Sequence, residues 1–293
     1  MGNMRPQSYS GEIIVAAIKA ITFDLWDTMI ADETDEPKRA AQGLSPKPRA
    51  RRELMHAALM RHGAIDYDTL AMAYDVTDAA FNKVWKGHSF TWTVATRLSV
   101  MLDGLGRTLP EDEFAAVVAA TENMEGELPP DPISGIEAAL ETLSARYKLC
   151  VVSDALVSPG RVLRRVLAHH GLEGYFSGFV FSDEIDCSKP DPRMFHEAAD
   201  QLGIALESMV HIGDRDHNDI KGPQALGMKA VLFTASRDAD RETTSAHAIC
   251  NENADAVGII QPTETGEGEE RGSTRPGRRR RRQGCARGGG GRG

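Results

Sequence analysis

The chain has 293 residues, 41% hydrophobic and 26% charged: long enough for more than one domain, with no apolar stretch near the roughly 20 residues of a membrane span. Its net charge of −9 is uneven, because nine of the 34 basic residues lie in Arg271–Gly293, which has no acidic residue, leaving 25 to face all 43 acidic ones in a body of net −18. So acidic a body argues against nucleic acid as its main partner, since duplex affinity comes largely from Lys and Arg neutralising phosphates.

Met1–Ser10 carries a single Arg and no apolar signal core, and Ile13–Ile18 is too short to serve as one. The first β-rich apolar run is Ala20–Phe23, followed at once by Asp24-Leu25-Trp26-Asp27-Thr28. From Glu33 to about Glu125 strand patterning gives way to helical spacing, with helices expected at Arg49–Arg61, Tyr67–Lys86, Trp92–Leu105 and Glu111–Met124. Leu54, Ala58 and Arg61 keep that spacing, as do Val94, Leu98, Met101 and Leu105, while Gly63, Gly87, Gly106 and Pro110 punctuate it. This is a four-helix insertion, placed to cover a site as a lid that excludes water and selects substrate.

Pro129-Pro130-Asp131-Pro132 marks re-entry into the core. Helix Ile133–Arg146 feeds strand Leu149–Val152 and then Ser153, helix Pro159–His170 follows, and strand Phe179–Phe181 leads through a loop to Lys189-Pro190. Helix Pro192–Leu202, strand Met209–Ile212 with Gly213-Asp214 after it, helix Asn218–Leu226 and strand Ala230–Phe233 complete the alternation. Repeated βαβ units predict an α/β fold, a doubly wound parallel sheet with helices on both faces, whose strand C-terminal ends form one ligand-binding rim. Residues more than a hundred positions apart then share a pocket. The domains expected are 1–32 with 126–262 for the core, 33–125 for the insertion and 263–293 for a low-complexity Arg/Gly tail expected to be disordered. Cys150, Cys187, Cys250 and Cys285 form no CxxC pair or zinc spacing, so a reducing cytoplasm is the expected setting.

The residue types at the strand ends suit phosphoryl transfer, which needs a nucleophile, a counter-charge and a proton for the leaving alcohol. Asp24 suits the nucleophile of an aspartyl phosphate, and Asp27, three residues on, reaches the leaving-group oxygen and can later activate water. Asp214 and Asp219 supply hard oxygen ligands that with Asp24 would hold one Mg²⁺. Ser153 can hydrogen-bond the transferring phosphoryl oxygens, and Lys189 can neutralise developing charge and steady Asp24.

With these four islands in order the chain resembles the haloacid dehalogenase-like (HAD) hydrolase superfamily: Phe23-Asp24-Leu25-Trp26-Asp27-Thr28, Val151-Val152-Ser153-Asp154, Ser188-Lys189-Pro190-Asp191-Pro192, and His211-Ile212-Gly213-Asp214 through Asn218-Asp219. The resemblance spans about Ala20 to Phe233 and implies a Rossmann-like core with an inserted α-helical cap of the C1 type. It implies Asp24 as nucleophile, Asp27 as acid/base with its backbone carbonyl on the metal, Ser153 and Lys189 as phosphate contacts, and Asp214 with Asp219 on magnesium. Trp26, Thr28 and Asp154 join Ser153 and Lys189 as expected substrate contacts. Asp154 departs from the Asn common in the family: pointing away, it leaves catalysis intact, whereas pointing in it favours a substrate bearing an amine or weakens phosphate binding.

The function expected is Mg²⁺-dependent removal of phosphate from a small phosphorylated metabolite. A 2-haloacid dehalogenase is the alternative enzyme, but halide displacement needs neither a proton donor nor a metal, so Asp27, Asp214 and Asp219 favour phosphate. A non-catalytic binding protein using the basic tail on RNA or a partner is the third reading. Trp85, Phe90 and Trp92 could line a substrate pocket in the cap, but packing between helices is the expectation for such aromatics, and His88, His196 and His217 are expected to serve surface or packing roles.

Overall fold

A computed structural model describes residues 18–260. The expectations for the N-terminal residues and for the Arg/Gly tail lie outside the described residues. Six parallel strands, β1 (Ala20–Phe23), β2 (Lys148–Ser153), β3 (Gly178–Phe181), β4 (Met209–Gly213), β5 (Lys229–Phe233) and β6 (Ala248–Cys250), pair in the order β3-β2-β1-β4-β5-β6. The order reverses at β1, the first strand laid down, which is where an α/β sheet opens its ligand crevice.

Between β1 and β2 run six helices: α1 (Asp35–Ala41), α2 (Lys47–Met60), α3 (Tyr67–His88), α4 (Val94–Leu105), α5 (Glu111–Glu122) and α6 (Met124–Glu127). The expected four are α2 to α5. The added α1 carries no apolar stripe to betray it, because its buried residues are Asp35 and Arg39. Side-chain caps fix the starts of α3 and α4, where Asp66 and Thr93 accept from the backbone N–H of Thr69 and Thr96. Met55, Leu59, Leu70, Leu98, Met101 and Val117 give these helices a hydrophobic cluster separate from those of the sheet.

The rest of the chain alternates as expected through α7 (Ile136–Ser144), α8 (Gly160–His169) and α9 (Pro192–Leu202). The single helix expected at Asn218–Leu226 is instead a π-helical turn, Asp216–Lys221, running into the short α10 (Gly222–Gln224). The elements expected from the sequence stopped at Phe233, whereas β6 extends the sheet by one strand and α11 (Asn253–Ile260) adds Ile260 to the cluster on the α7 face.

Period-two burial explains the layering. Ile21, Phe23, Leu149, Val151, Val210 and Ile212 face one cluster with Ile136, Leu140, Leu163 and Ile260 of α7, α8 and α11. Ala20, Cys150, Val152, Val180 and Met209 face the other, against Met194, Phe195, Ala198 and Leu202 of α9. Each fully buried aliphatic or aromatic side chain contributes about 1.5–3 kcal/mol relative to exposure, so the C-terminal end of β1 is held from both sides. That rigidity fixes the position of Asp24, the next residue along the chain.

Candidate active site

β1 ends in register with Val151 of β2 and Ile212 of β4, so the residues after these strands emerge together on one rim. The backbone N–H of Asp24 continues the ladder by donating to the Ile212 carbonyl at 2.9 Å. The loop after β3 brings in Lys189, whose Nζ donates to Asp24 Oδ1 and to Asp219 Oδ1, each at 2.6 Å. One carboxylate oxygen from each of Asp24, Asp214 and Asp219 lies within 4.8 Å of the others, and all three residues are buried.

Their charges compete. Burial raises Asp24 above its ordinary range, opposed by Lys189 and reinforced by Asp219. Asp219 goes the other way: burial works against its charge, but Lys189 and His211 outweigh it and hold its carboxyl well below the usual range. Burial disfavours the charged form of Lys189 as well, yet Asp219 and Asp24 keep it above its ordinary value. The unbalanced charge falls on Asp214, pushed up to about 8 by burial and then by Asp24 and Asp219. Among the described residues its Oδ2 is buried without a hydrogen-bond partner, and Arg215 Nε stands 3.7 Å from it. Three converging hard oxygen donors, an orphaned acceptor and one ammonium among three carboxylates fit a small divalent cation such as Mg²⁺.

Asp219 is fixed from beneath. His211 Nε2 meets Asp219 Oδ1 at 3.2 Å, while Thr22 Oγ1 lies 2.8 Å from His211 Nδ1. Burial lowers His211, so the neutral ring serves as a spacer between β1 and the carboxylate. Arg215 N–H donates to Asp219 Oδ2 at 3.0 Å. Gly213 permits this approach, because a Cβ there would sit 2.4 Å from Asp219 Cγ.

The other expected residues divide. Trp26, Asp154 and Lys189 line, with Asp24 and Asp219, a cavity of about 250 Å³ beneath the helical cap. Asp154 points in. Its Oδ1 accepts from Lys189 N–H at 2.9 Å, and its Oδ2 from Trp85 Nε1 at 3.2 Å and Asn218 Nδ2 at 3.4 Å. Burial, against the pull of Lys189, pushes its carboxyl up to about 6. Asp27 has a left-handed backbone (φ 56°) and its Oδ1 accepts from Asp32 N–H at 3.2 Å, so its side chain is outside the cavity lining. Ser153 and Thr28 are also outside it, each buried with a hydroxyl that has no partner among the described residues.

Trp85 takes both roles weighed for it, packing and pocket lining. Its ring stacks on Phe81 at 6.5 Å, as a packing residue would, but it also lines the cavity and donates to Asp154. The indole N–H that makes this possible leaves no trace in helical periodicity. His217, taken for a surface residue, is exposed and lines a neighbouring cleft with Arg215 and Lys86. The roof of the main cavity, supplied by Lys47, Arg51 and Glu125, went unnoticed in the sequence.

A family model described as haloacid dehalogenase-like hydrolase matches residues 18–227. A glyceraldehyde 3-phosphate phosphatase of Methanopyrus kandleri is 35% identical over 134 residues, 45% of this chain and 55% of that protein. The chain spans about half the length of the curated relatives it matches. Among solved structures, a HAD phosphatase from Thermococcus onnurineus has a TM-score of 0.56 at 20% identity, covering 83% of this chain and 98% of that one. A 2-haloacid dehalogenase from Pseudomonas syringae has the same TM-score at 19% identity, with the same coverage. Those two likenesses are of fold. With the family model matched over most of the described residues, on a sheet of this order and beneath an inserted helical cap, the chain belongs to the haloacid dehalogenase-like hydrolases.

Proposed function

We propose that this hydrolase is a Mg²⁺-dependent phosphatase that removes phosphate from a small phosphorylated metabolite through an aspartyl-phosphate intermediate. The observation that carries the reading is the buried cluster of Asp24, Asp214 and Asp219 at the rim, bridged by Lys189 but left in excess negative charge. A dianionic phosphate would be repelled by such a floor unless further positive charge joined it, and a divalent cation held by these carboxylates supplies that charge and polarises a phosphoryl oxygen. A relative named as a phosphatase points the same way.

In this reading Lys189 holds Oδ1 of Asp24 and leaves Oδ2 to attack phosphorus. Ser153, outside the cavity lining but with a hydroxyl that has no partner among the described residues, is the candidate donor to a phosphoryl oxygen once the substrate is bound. Asp27 leaves the Asp32 N–H, turns toward the leaving-group oxygen to give it a proton, and later takes one from the water that cleaves the aspartyl phosphate. Trp26 and the cap exclude bulk water from the cavity. The test is hydrolysis of p-nitrophenyl phosphate with Mg²⁺ by the wild type and by Asp24→Asn. The variant should lose roughly 10³-fold or more of kcat with its fold intact. A wild type that ignores the ester but releases halide from 2-haloacids without metal would replace this reading with the dehalogenase one.

A further inference from the structure

The lining of the cavity contains a guanidinium that makes no hydrogen bond among the described residues. Arg51, on α2, has a side chain only 18% exposed, and its Nε is buried without a hydrogen-bond partner. Among the described residues its only ionic contact is Nη2 to Glu125 Oε1 at 3.6 Å, beyond hydrogen-bonding distance. Glu125 is already committed: its Oε1 accepts from Lys47 Nζ at 3.1 Å and its Oε2 from the Ser158 hydroxyl. Lys47 is satisfied too, donating to Asp35 Oδ1 at 2.9 Å as well. A largely buried guanidinium offers five donors in a planar fork, and leaving them unused is costly.

We propose that Arg51 is a specificity-determining residue that binds a second anionic group on the substrate, so that the ester hydrolysed is a small phosphorylated acid. The inference rests on the phosphatase reading for the place of the phosphoryl group, at Asp24, with Arg51 on the lining of the same cavity. A volume of about 250 Å³ limits the whole ligand to a few carbons. The fork of Arg51 matches a carboxylate or a second phosphate by paired hydrogen bonds. The acidic mouth favours one added charge over several: Asp32 and Glu33 are exposed there, and Glu36 beside them already accepts from the Lys47 backbone N–H.

Calorimetric binding of non-hydrolysable probes tests this apart from catalysis. With Mg²⁺ present, 3-phosphonopropionate should bind the wild type roughly 10- to 100-fold tighter than propylphosphonate, as expected for paired hydrogen bonds to a charged group. In Arg51→Met the two probes should bind within about 3-fold of each other, and Arg51→Lys should restore part of the preference, which guards against a folding defect. If 1,3-propanediphosphonate outbinds the carboxylate with the same dependence on Arg51, the second anion is a phosphate. Equal affinities in the wild type, a preference that survives Arg51→Met, or no binding of either probe would overturn the assignment. Failure to hydrolyse p-nitrophenyl phosphate would instead count against the phosphatase reading alone.

Discussion

Replacing Asp214 by Asn should stabilise the metal-free protein while disabling the site. Asp214 is buried, its Oδ2 is unpartnered, and its carboxyl is pushed from 3.8 up to about 8 by burial and by the Asp24 and Asp219 charges. The folded chain therefore keeps a proton that the unfolded chain releases near pH 4. A raised carboxyl of this kind leaves stability intact below its unfolded value and erodes it as pH climbs toward 8. At about 1.4 kcal/mol per pH unit the full loss by pH 7 is about 4 kcal/mol, and sharing of the proton with Asp24 brings the expectation to about 2–4 kcal/mol. Asn neither titrates nor repels its neighbours, and its amide can donate to them. Urea unfolding in EDTA at pH 4.5, 6 and 7.5 should show the variant and wild type nearly equal at the lowest pH, and the variant ahead by about 2–4 kcal/mol at the highest. Mg²⁺ at 1,000 times Kd should erase or reverse the gap: the wild type gains about 4.1 kcal/mol there, and a variant lacking one ligand gains little. A variant less stable than wild type in EDTA at pH 7.5, or a gap that does not widen with pH, would refute the electrostatic argument.

Two further substitutions probe the scaffold of the site. Gly213→Ala places a Cβ 2.4 Å from Asp219 Cγ, so Asp219 must move; urea unfolding in EDTA should show a loss of about 1–3 kcal/mol, and a thermal-shift titration should show weaker Mg²⁺ stabilisation. Trp85→Phe keeps the stack on Phe81 but removes the donor to Asp154 Oδ2; KM for p-nitrophenyl phosphate should rise roughly 3- to 10-fold with kcat little changed, and an equal fall in kcat at constant KM would show that the contact serves the chemical step.

The rim that carries the candidate site was legible in the sequence because it lies at strand ends. Asp24, Ser153 and Asp214 each come directly after an apolar run, and a parallel sheet carries such positions to one rim whatever separates them in the chain. The role of polar residues inside the strands was not legible: nothing in an apolar run shows that Thr22 and His211 form the buried support of Asp219. Asp154 was seen, but its direction was not, since the choice between facing in and facing out depends on Trp85 and on Lys189 N–H, 69 positions before it and 35 after it.

The roof fails for a different reason. Arg49, Arg51 and Arg52 stand almost side by side at the start of α2, alike in chemistry and all compatible with a solvated helix face. Only the fold separates them: Arg49 is exposed and pairs with Glu53 one turn on, and Arg52 reaches Asp75 on α3, but Arg51 turns under the cap toward a glutamate already taken by Lys47 and Ser158. Strand ends announce catalytic positions because the sheet gives them one geometry. A helical cap gives its residues no shared geometry, so its specificity lies in which charge is left over once the others have paired.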